Sequence, residues 1–339
     1  MRRLLETLYV LTPESYLSHR NDNICVSIGG QEKASVPATQ LDSIVLFGKN
    51  TFSTSLLGFC GQHNIAITFL DQFGSFEGRL CGRTSGNVLL RKRQYDRLDS
   101  QEFACEFVRD VLLGKLQNSK TVLLRRARTT ENHAEELYLA AQRLSETASQ
   151  LSECKDVASM RGLEGVAASV YFSAFDAMLA SPHGFRFSCR SKRPPTNEVN
   201  AVLSFLYTQL AHDVRSALET VGLDPAAGFL HALRPGRSSL ALDLMEELRA
   251  PLCDRLALAL FNRGQLSCAQ FEYVMPAVYL NEKGRRVVLS QWRARKQEEI
   301  KHPFLNEKIP IGMVPYAQAM LLARVLRRDL DRYPPFVWR

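Results

Sequence analysis

Glu164, His231, Asp243 and Glu246 are three acids and an imidazole, each set in small or apolar surroundings. Carboxylates with one imidazole are a donor set that a divalent metal accepts. Asp243 and Glu246 lie i, i+3 on a predicted helix, so their carboxylates share one face. Leu242, Leu244, Met245 and Leu248 make that helix largely buried. Two like charges on such a face are unfavourable unless a cation neutralises them, and either a metal or an arginine meets that need. Glu164 sits among Gly162, Gly165, Ala167, Ala168 and Ser169, small residues that let a ligand or another backbone approach. It reads either as a ligand or as a solvated glutamate on an amphipathic helix. His231, after Phe229-Leu230, is either a ligand or a hydrogen-bonded core residue. Hard oxygen donors with one imidazole suit Mn²⁺ or Mg²⁺, at a one-metal site able to polarise a phosphodiester.

The elements that must position these residues differ along the chain. Leu8-Tyr9-Val10-Leu11, Ile24 to Ile28, Ser43 to Phe47 and Ile65 to Leu70 are apolar runs of strand length bounded by turn residues, with a short helix expected between Ser53 and Asn64. Further on, Phe103, Phe107, Val111, Leu112 and Leu116 recur at helical spacing, as do Val199, Val202, Leu206 and Leu210. Asn197 is a plausible cap for the second of these helices, and Ser238 or Ser239 for the one carrying Asp243 and Glu246. The expectation is an α+β protein of two domains: a β-rich, β-sandwich-like domain over 1–84, a polar linker over 85–100, and an all-α domain over 101–339.

The 339 residues carry 43 Lys+Arg against 35 Asp+Glu, a net charge of +8 that favours polyanionic partners. Basic clusters fall around Arg79 to Arg97 (Arg83 among them), Arg125 to Arg128, Arg186 to Arg193 and Lys283 to Lys296. Arg190, Arg193, Lys283, Arg285 and Arg286 are candidate phosphate contacts, and Tyr171, Tyr207 and Trp292 candidate stacking platforms, although solvated charge and core packing are the common uses of such residues. Eight cysteines without a C-x-x-C pair argue against a zinc finger or a disulfide framework. No apolar stretch approaches membrane-spanning length, and a charge interrupts the opening Met1-Arg2-Arg3-Leu4-Leu5-Glu6, so a cytoplasmic protein without a membrane partner is expected.

Taken in order, these segments resemble a known family. Gly162-Leu163-Glu164-Gly165 with Tyr171-Phe172, Arg193-Pro194-Pro195 with Asn200 and Tyr207, Gly228-Phe229-Leu230-His231, and Ser239 to Glu246 are similar to motifs of the CRISPR-associated spacer integrase, the first numbered protein of the CRISPR adaptation module. Leu8 to Pro13 and Ser85-Gly86-Asn87-Val88-Leu89-Leu90-Arg91 resemble the subtype I-C version. The resemblance implies a β domain that dimerises and a helical catalytic domain that binds metal and DNA. Glu164, His231 and Glu246 would be the catalytic metal ligands, Asp243 a supporting acid, and the metal Mn²⁺ or Mg²⁺. It also implies a homodimer that clamps a dimer of the small second adaptation protein and holds a duplex prespacer. The implied reaction is metal-dependent DNA cleavage, and insertion at the leader–repeat boundary of the CRISPR array by attack of a 3′-hydroxyl. The chain departs from the family where Glu247-Leu248 replaces a frequent proline after the third ligand, and where Asn197-Glu198 replaces an Asp-Pro. Two rival readings remain: a non-catalytic DNA-binding scaffold whose acids pair with arginines such as Arg190 or Arg249, and a general repair nuclease acting on branched DNA.

Overall fold

Near-continuous apolar runs such as Ile44-Val45-Leu46-Phe47 need cover on both faces, and the N-terminal part of the chain provides it. The structure, a computed structural model, describes residues 6–74, 76–82, 88–130 and 132–338. The strands are β1 (Glu6–Val10), β2 (Tyr16–Arg20), β3 (Asn23–Ile28), β4 (Gln31–Pro37), β5 (Leu41–Phe47), β6 (Thr51–Phe52), β7 (Ala66–Leu70) and β8 (Phe76–Leu80), with helix α1 (Thr54–Gln62) before β7. They form two four-stranded sheets, ordered β1-β5-β7-β8 and β4-β3-β2-β6. In the first, β1, β5 and β7 are parallel and β8 is antiparallel at the edge. One apolar cluster draws on both sheets and the helix: Leu17 and Ile24, Ile44 and Ile67, Leu56 and Cys60. The β-rich expectation therefore holds, with mixed rather than uniform strand direction.

The second compact unit is built on helices: α2 (Val88–Leu98), α3 (Gln101–Ala127), α4 (Ala134–Glu153), α5 (Val157–Ser173), α6 (Glu198–Val221), α7 (Ser239–Leu248) and α8 (Arg255–Asn262). Strands β9 (Phe271–Val274) and β10 (Ala277–Leu280), helix α9 (Glu282–Gln297), strands β11 (Glu299–Lys301) and β12 (Lys308–Pro310), and helix α10 (Val314–Arg327) follow. The two small hairpins depart from an all-helical C-terminal region. Compactness divides the chain after Ser85, and residues 270–272 and 279–286 group with the first unit. The stretch expected as a linker is largely α2. Its Gln94 is fully buried, donating to the carbonyls of Asp224 (2.8 Å) and Ala227 (3.1 Å). Arg83 and the start of that linker, including Ser85-Gly86-Asn87, lie outside the described residues.

Helix α3 is the axis of this unit and packs against α4, α5 and α7. Asn197 caps α6 as expected, its Oδ1 accepting from Asn200 N at 2.8 Å. Ser238 stands at the N-cap of α7 without a side-chain cap bond, and Ser239 instead donates to the Ala232 carbonyl. After Leu248 the helix widens into a π-helical step, Arg249–Asp254, around Pro251, which lacks an N–H to donate. No disulfide forms among the described residues, and no described helix is long and apolar enough to cross a membrane.

Candidate metal centre

Asp243 is the most heavily bonded acid in this region. It is fully buried, and the loop between α6 and α7 folds around it: Phe229 N (2.6 Å) and Leu230 N (2.9 Å) donate to Oδ2, and His231 N (2.9 Å) donates to Oδ1. Gly228 makes this approach possible, because a Cβ there would lie 2.6 Å from Leu240 N and 2.7 Å from Asp243 Oδ2. The Gly228 to His231 and Ser239 to Glu246 segments are thus two halves of one local structure. The His231 Nδ1–H also donates to Asp243 Oδ1, at 2.7 Å. A carboxylate on Nδ1 fixes the ring orientation and leaves the Nε2 lone pair facing outward, the usual support of a metal-binding histidine.

His231 Nε2 faces Glu246, 3.9 Å from its Oε1. One helical turn after Asp243, Glu246 is itself buried. Arg249 approaches its Oε1 at 3.0 Å, and Lys115 Nζ of α3 lies 2.7 Å from its Oε2. Burial alone would raise this carboxyl's pKa, but Arg249, Lys115 and His231 outweigh it and hold the pKa down to about 2. Lys115 also donates to Glu164 Oε1 from α5, so one ammonium joins Glu164 to Glu246. Burial disfavours its charged form, yet the two glutamates more than compensate and raise its pKa. Glu164, His231 and Glu246 therefore come from three separate segments to one place, with Asp243 behind the histidine. Lysine signals no such role by motif. The available sign is its place on a largely apolar stripe of α3, one turn from Val111 and Leu112.

Among the described residues no three His, Cys, Asp or Glu side chains are close enough to grip a metal ion as they stand, and Lys115 lies between the two glutamates. The donor chemistry nonetheless suits a hard divalent cation: two carboxylates and one imidazole held in a single tautomer. Glu246 Oε2, buried and accepting no well-aligned hydrogen bond despite its ion pair, has a lone pair to offer.

Beside this cluster opens a cleft lined by Lys115, Tyr171, Phe172, Tyr207, Glu246 and Arg249. Its floor is Asp254, which accepts from the hydroxyls of Tyr207 (2.7 Å, Oδ1) and Tyr171 (3.1 Å, Oδ2). Burial raises the Asp254 pKa to about 6, against the pull of both hydroxyls and of Arg190 and Arg249. The Arg249 and Arg190 guanidiniums lie 5.1 and 5.3 Å from the Tyr207 ring centroid, within cation–π range.

The expected nucleic-acid contacts divide sharply. Arg193, Lys283 and Arg286 are on the surface, with Arg286 paired to Glu282. Tyr171 is buried with its hydroxyl on Asp254. Arg190 is half-buried and donates to Asn200 Oδ1 at 2.8 Å, to Ser204 Oγ at 3.1 Å and to the Ser191 carbonyl. Arg285 is buried and donates to the Gln72 and Leu280 carbonyls at 2.6 and 2.7 Å. Trp292, another expected stacking platform, is also buried. Arg285 and Trp292 are thus used inside the fold, because a buried guanidinium or ring has little surface left for phosphate or base, whereas Arg190 keeps part of its surface.

A profile of the family described as CRISPR associated protein Cas1 matches residues 8–294. The chain is similar over its whole length to the CRISPR-associated endonuclease Cas1 2 of Rhodospirillum rubrum, 46% identical over 347 aligned positions that cover 100% of both. The fold is similar to that of a CAS1 protein from Thermotoga maritima, with a TM-score of 0.83, 24% identity, and coverage of 95% of this chain and 97% of the other. It is also similar to a chain of a Cas6-RT-Cas1–Cas2 complex, with a TM-score of 0.85, 22% identity, and coverage of 98% of this chain and 36% of that one.

Proposed function

The chain belongs to the Cas1 family of CRISPR-associated proteins, and on that premise we propose that it is a metal-dependent DNA endonuclease and integrase of CRISPR spacer acquisition. The observation that carries the proposal is the gathering of Glu164 and His231 on either side of Glu246, the former through the Lys115 ammonium, with Asp243 fixing the imidazole. These three would hold Mn²⁺ or Mg²⁺. When bound, such an ion supplies Lewis-acid polarisation of the phosphodiester and offsets charge in the transition state. Asp243 keeps His231 in the tautomer that presents Nε2, and Arg249 and Lys115 place positive charge where a phosphate would enter the cleft. The reaction is transesterification. A prespacer 3′-hydroxyl attacks the phosphodiester at the leader–repeat boundary, the new P–O bond joins the prespacer to the 5′ end of the repeat, and the leader strand leaves with a free 3′-hydroxyl. Water in place of that hydroxyl gives endonucleolytic cleavage.

The partners of this reading are duplex prespacer and repeat DNA, a second copy of the chain, and a dimer of the small second adaptation protein. Support for the last is the fold shared with a chain from a complex whose name includes Cas2. The Leu8 to Pro13 opening supports assignment to the subtype I-C version.

The test is strand transfer of a prespacer into a leader–repeat substrate with Mn²⁺, comparing the wild type with Glu164→Ala. The expected outcome is a loss of product of about a hundredfold or more with duplex binding retained. A scaffold reading draws on one observation, the Glu246–Arg249 ion pair at 3.0 Å, which is how a purely structural acid would be used. Absence of product from the wild type itself, with duplex binding retained, would favour that reading; undiminished product from Glu164→Ala would instead remove Glu164 from the catalytic set.

A further inference from the structure

Lys115 is the unexpected member of the cluster. Its ammonium touches both glutamates that the proposed function assigns to the metal, and its side chain is only 13% exposed. A buried lysine needs anionic partners, and two buried or half-buried glutamates facing one another need a cation. Each requirement is met by the other, without a metal. We propose that Lys115 is an intramolecular counter-cation that holds the metal-free site together and must be displaced before a divalent ion can bridge Glu164 and Glu246. The inference rests on the metal-ligand reading of those two residues and adds the state from which loading starts.

The exclusion is steric as well as electrostatic. An ion binding a carboxylate oxygen of each glutamate would lie about 2.0–2.6 Å from those oxygens. The ammonium already stands 2.7 Å from Glu246 Oε2 and hydrogen-bonds Glu164 Oε1. Both cations cannot hold that position. Lysine suits a displaceable role because its charge sits on a flexible four-carbon stem, whereas an arginine fork would bind two carboxylates in a fixed geometry. The displaced side chain has somewhere to go, because the cleft it already lines, with Tyr207 and Arg249, opens beside the glutamates. Arg249 does not duplicate the function: it approaches the other oxygen of Glu246, Oε1. Lys115 is thus a positioning residue in the metal-free protein and a competitor of the metal.

The experiment is Mn²⁺ binding to the full chain by calorimetry and by electron paramagnetic resonance of free Mn²⁺, with melting temperatures recorded with and without the ion. The proteins are wild type, Lys115→Met, Lys115→Gln and Glu164→Gln. Removing the competitor should tighten Mn²⁺ binding by about tenfold or more in Lys115→Met. It should also lower the metal-free melting temperature and enlarge the rise that Mn²⁺ produces. Lys115→Gln, which keeps a hydrogen-bond donor, serves if the methionine variant does not fold without metal, and should show the same direction. Unchanged or weaker Mn²⁺ binding in the lysine variants, beside wild-type binding that Glu164→Gln abolishes, overturns this inference and leaves the metal reading intact. Absence of Mn²⁺ binding in the wild type and both lysine variants overturns the two together.

Discussion

Asp254 is buried with two tyrosine hydroxyls on its oxygens, and its pKa is raised from 3.8 to about 6. Below the unfolded value both states are protonated and the group has no effect on stability. Between 3.8 and about 6 the unfolded chain loses the proton while the folded one keeps it, so stability falls as pH rises through that window. Above it the penalty is constant, at up to roughly 3 kcal/mol. Asp254→Asn should therefore remove this slope. The measurement is unfolding free energy of metal-free wild type and variant from pH 3.5 to 7. Parallel profiles across that range would show that Asp254 is ionised in the fold. At this scale the sequence was uneven. Glu164, His231, Asp243 and Glu246 were legible because acids and imidazoles in small or apolar surroundings are chemically conspicuous. Lys115 and Asp254 were not, because their meaning lies in partners 49 and 47 residues away, Glu164 and Tyr207. Arg285 is the converse case: residue type suggests a phosphate contact, and only packing reveals its carbonyl partners inside the protein.

Helix α6 carries Asn200, Ser204 and Tyr207, the residues that organise Arg190 and the floor of the cleft. It begins with Asn197, whose side chain satisfies the otherwise unpartnered Asn200 N–H. Asn197→Ala should lower stability by about 1 kcal/mol, read from denaturant unfolding, and Asn197→Asp should retain most of it. A change below a few tenths would show that the cap bond is replaced by water. This helix was readable because cap, apolar period and preceding prolines all agree, as were β5 and β7 from their dense apolar runs. Strand β4, with Gln31 to Ser35 exposed, and edge strand β8 lack that signal, since a solvated strand shows little alternation. The π-helical step was invisible because it depends on how Pro251 is accommodated between α7 and α8.

The whole molecule carries a net charge of +8, and on the proposed function that charge meets a DNA backbone. Binding should then release condensed counterions, so the logarithm of affinity should fall linearly with the logarithm of salt concentration, by about 0.9 per phosphate neutralised. Which basic residues contribute to that slope follows from where their charge resides. The Arg193 side chain is on the surface, whereas Arg285 is 7% exposed and donates to two carbonyls. Arg193→Ala should weaken duplex binding at low salt and lower the magnitude of the slope by about one. Arg285→Met should instead reduce the melting temperature, because it leaves the Gln72 and Leu280 carbonyls short of a donor, and should keep the slope of the wild type. Fluorescence anisotropy of a labelled duplex from 50 to 300 mM salt, on each folded variant, separates the two. The reverse pattern, a smaller slope for Arg285→Met and a wild-type slope for Arg193→Ala, would mean that DNA binding reorganises the side chains around Arg285. A slope near zero for the wild type would mean that its basic excess serves something other than the phosphate backbone.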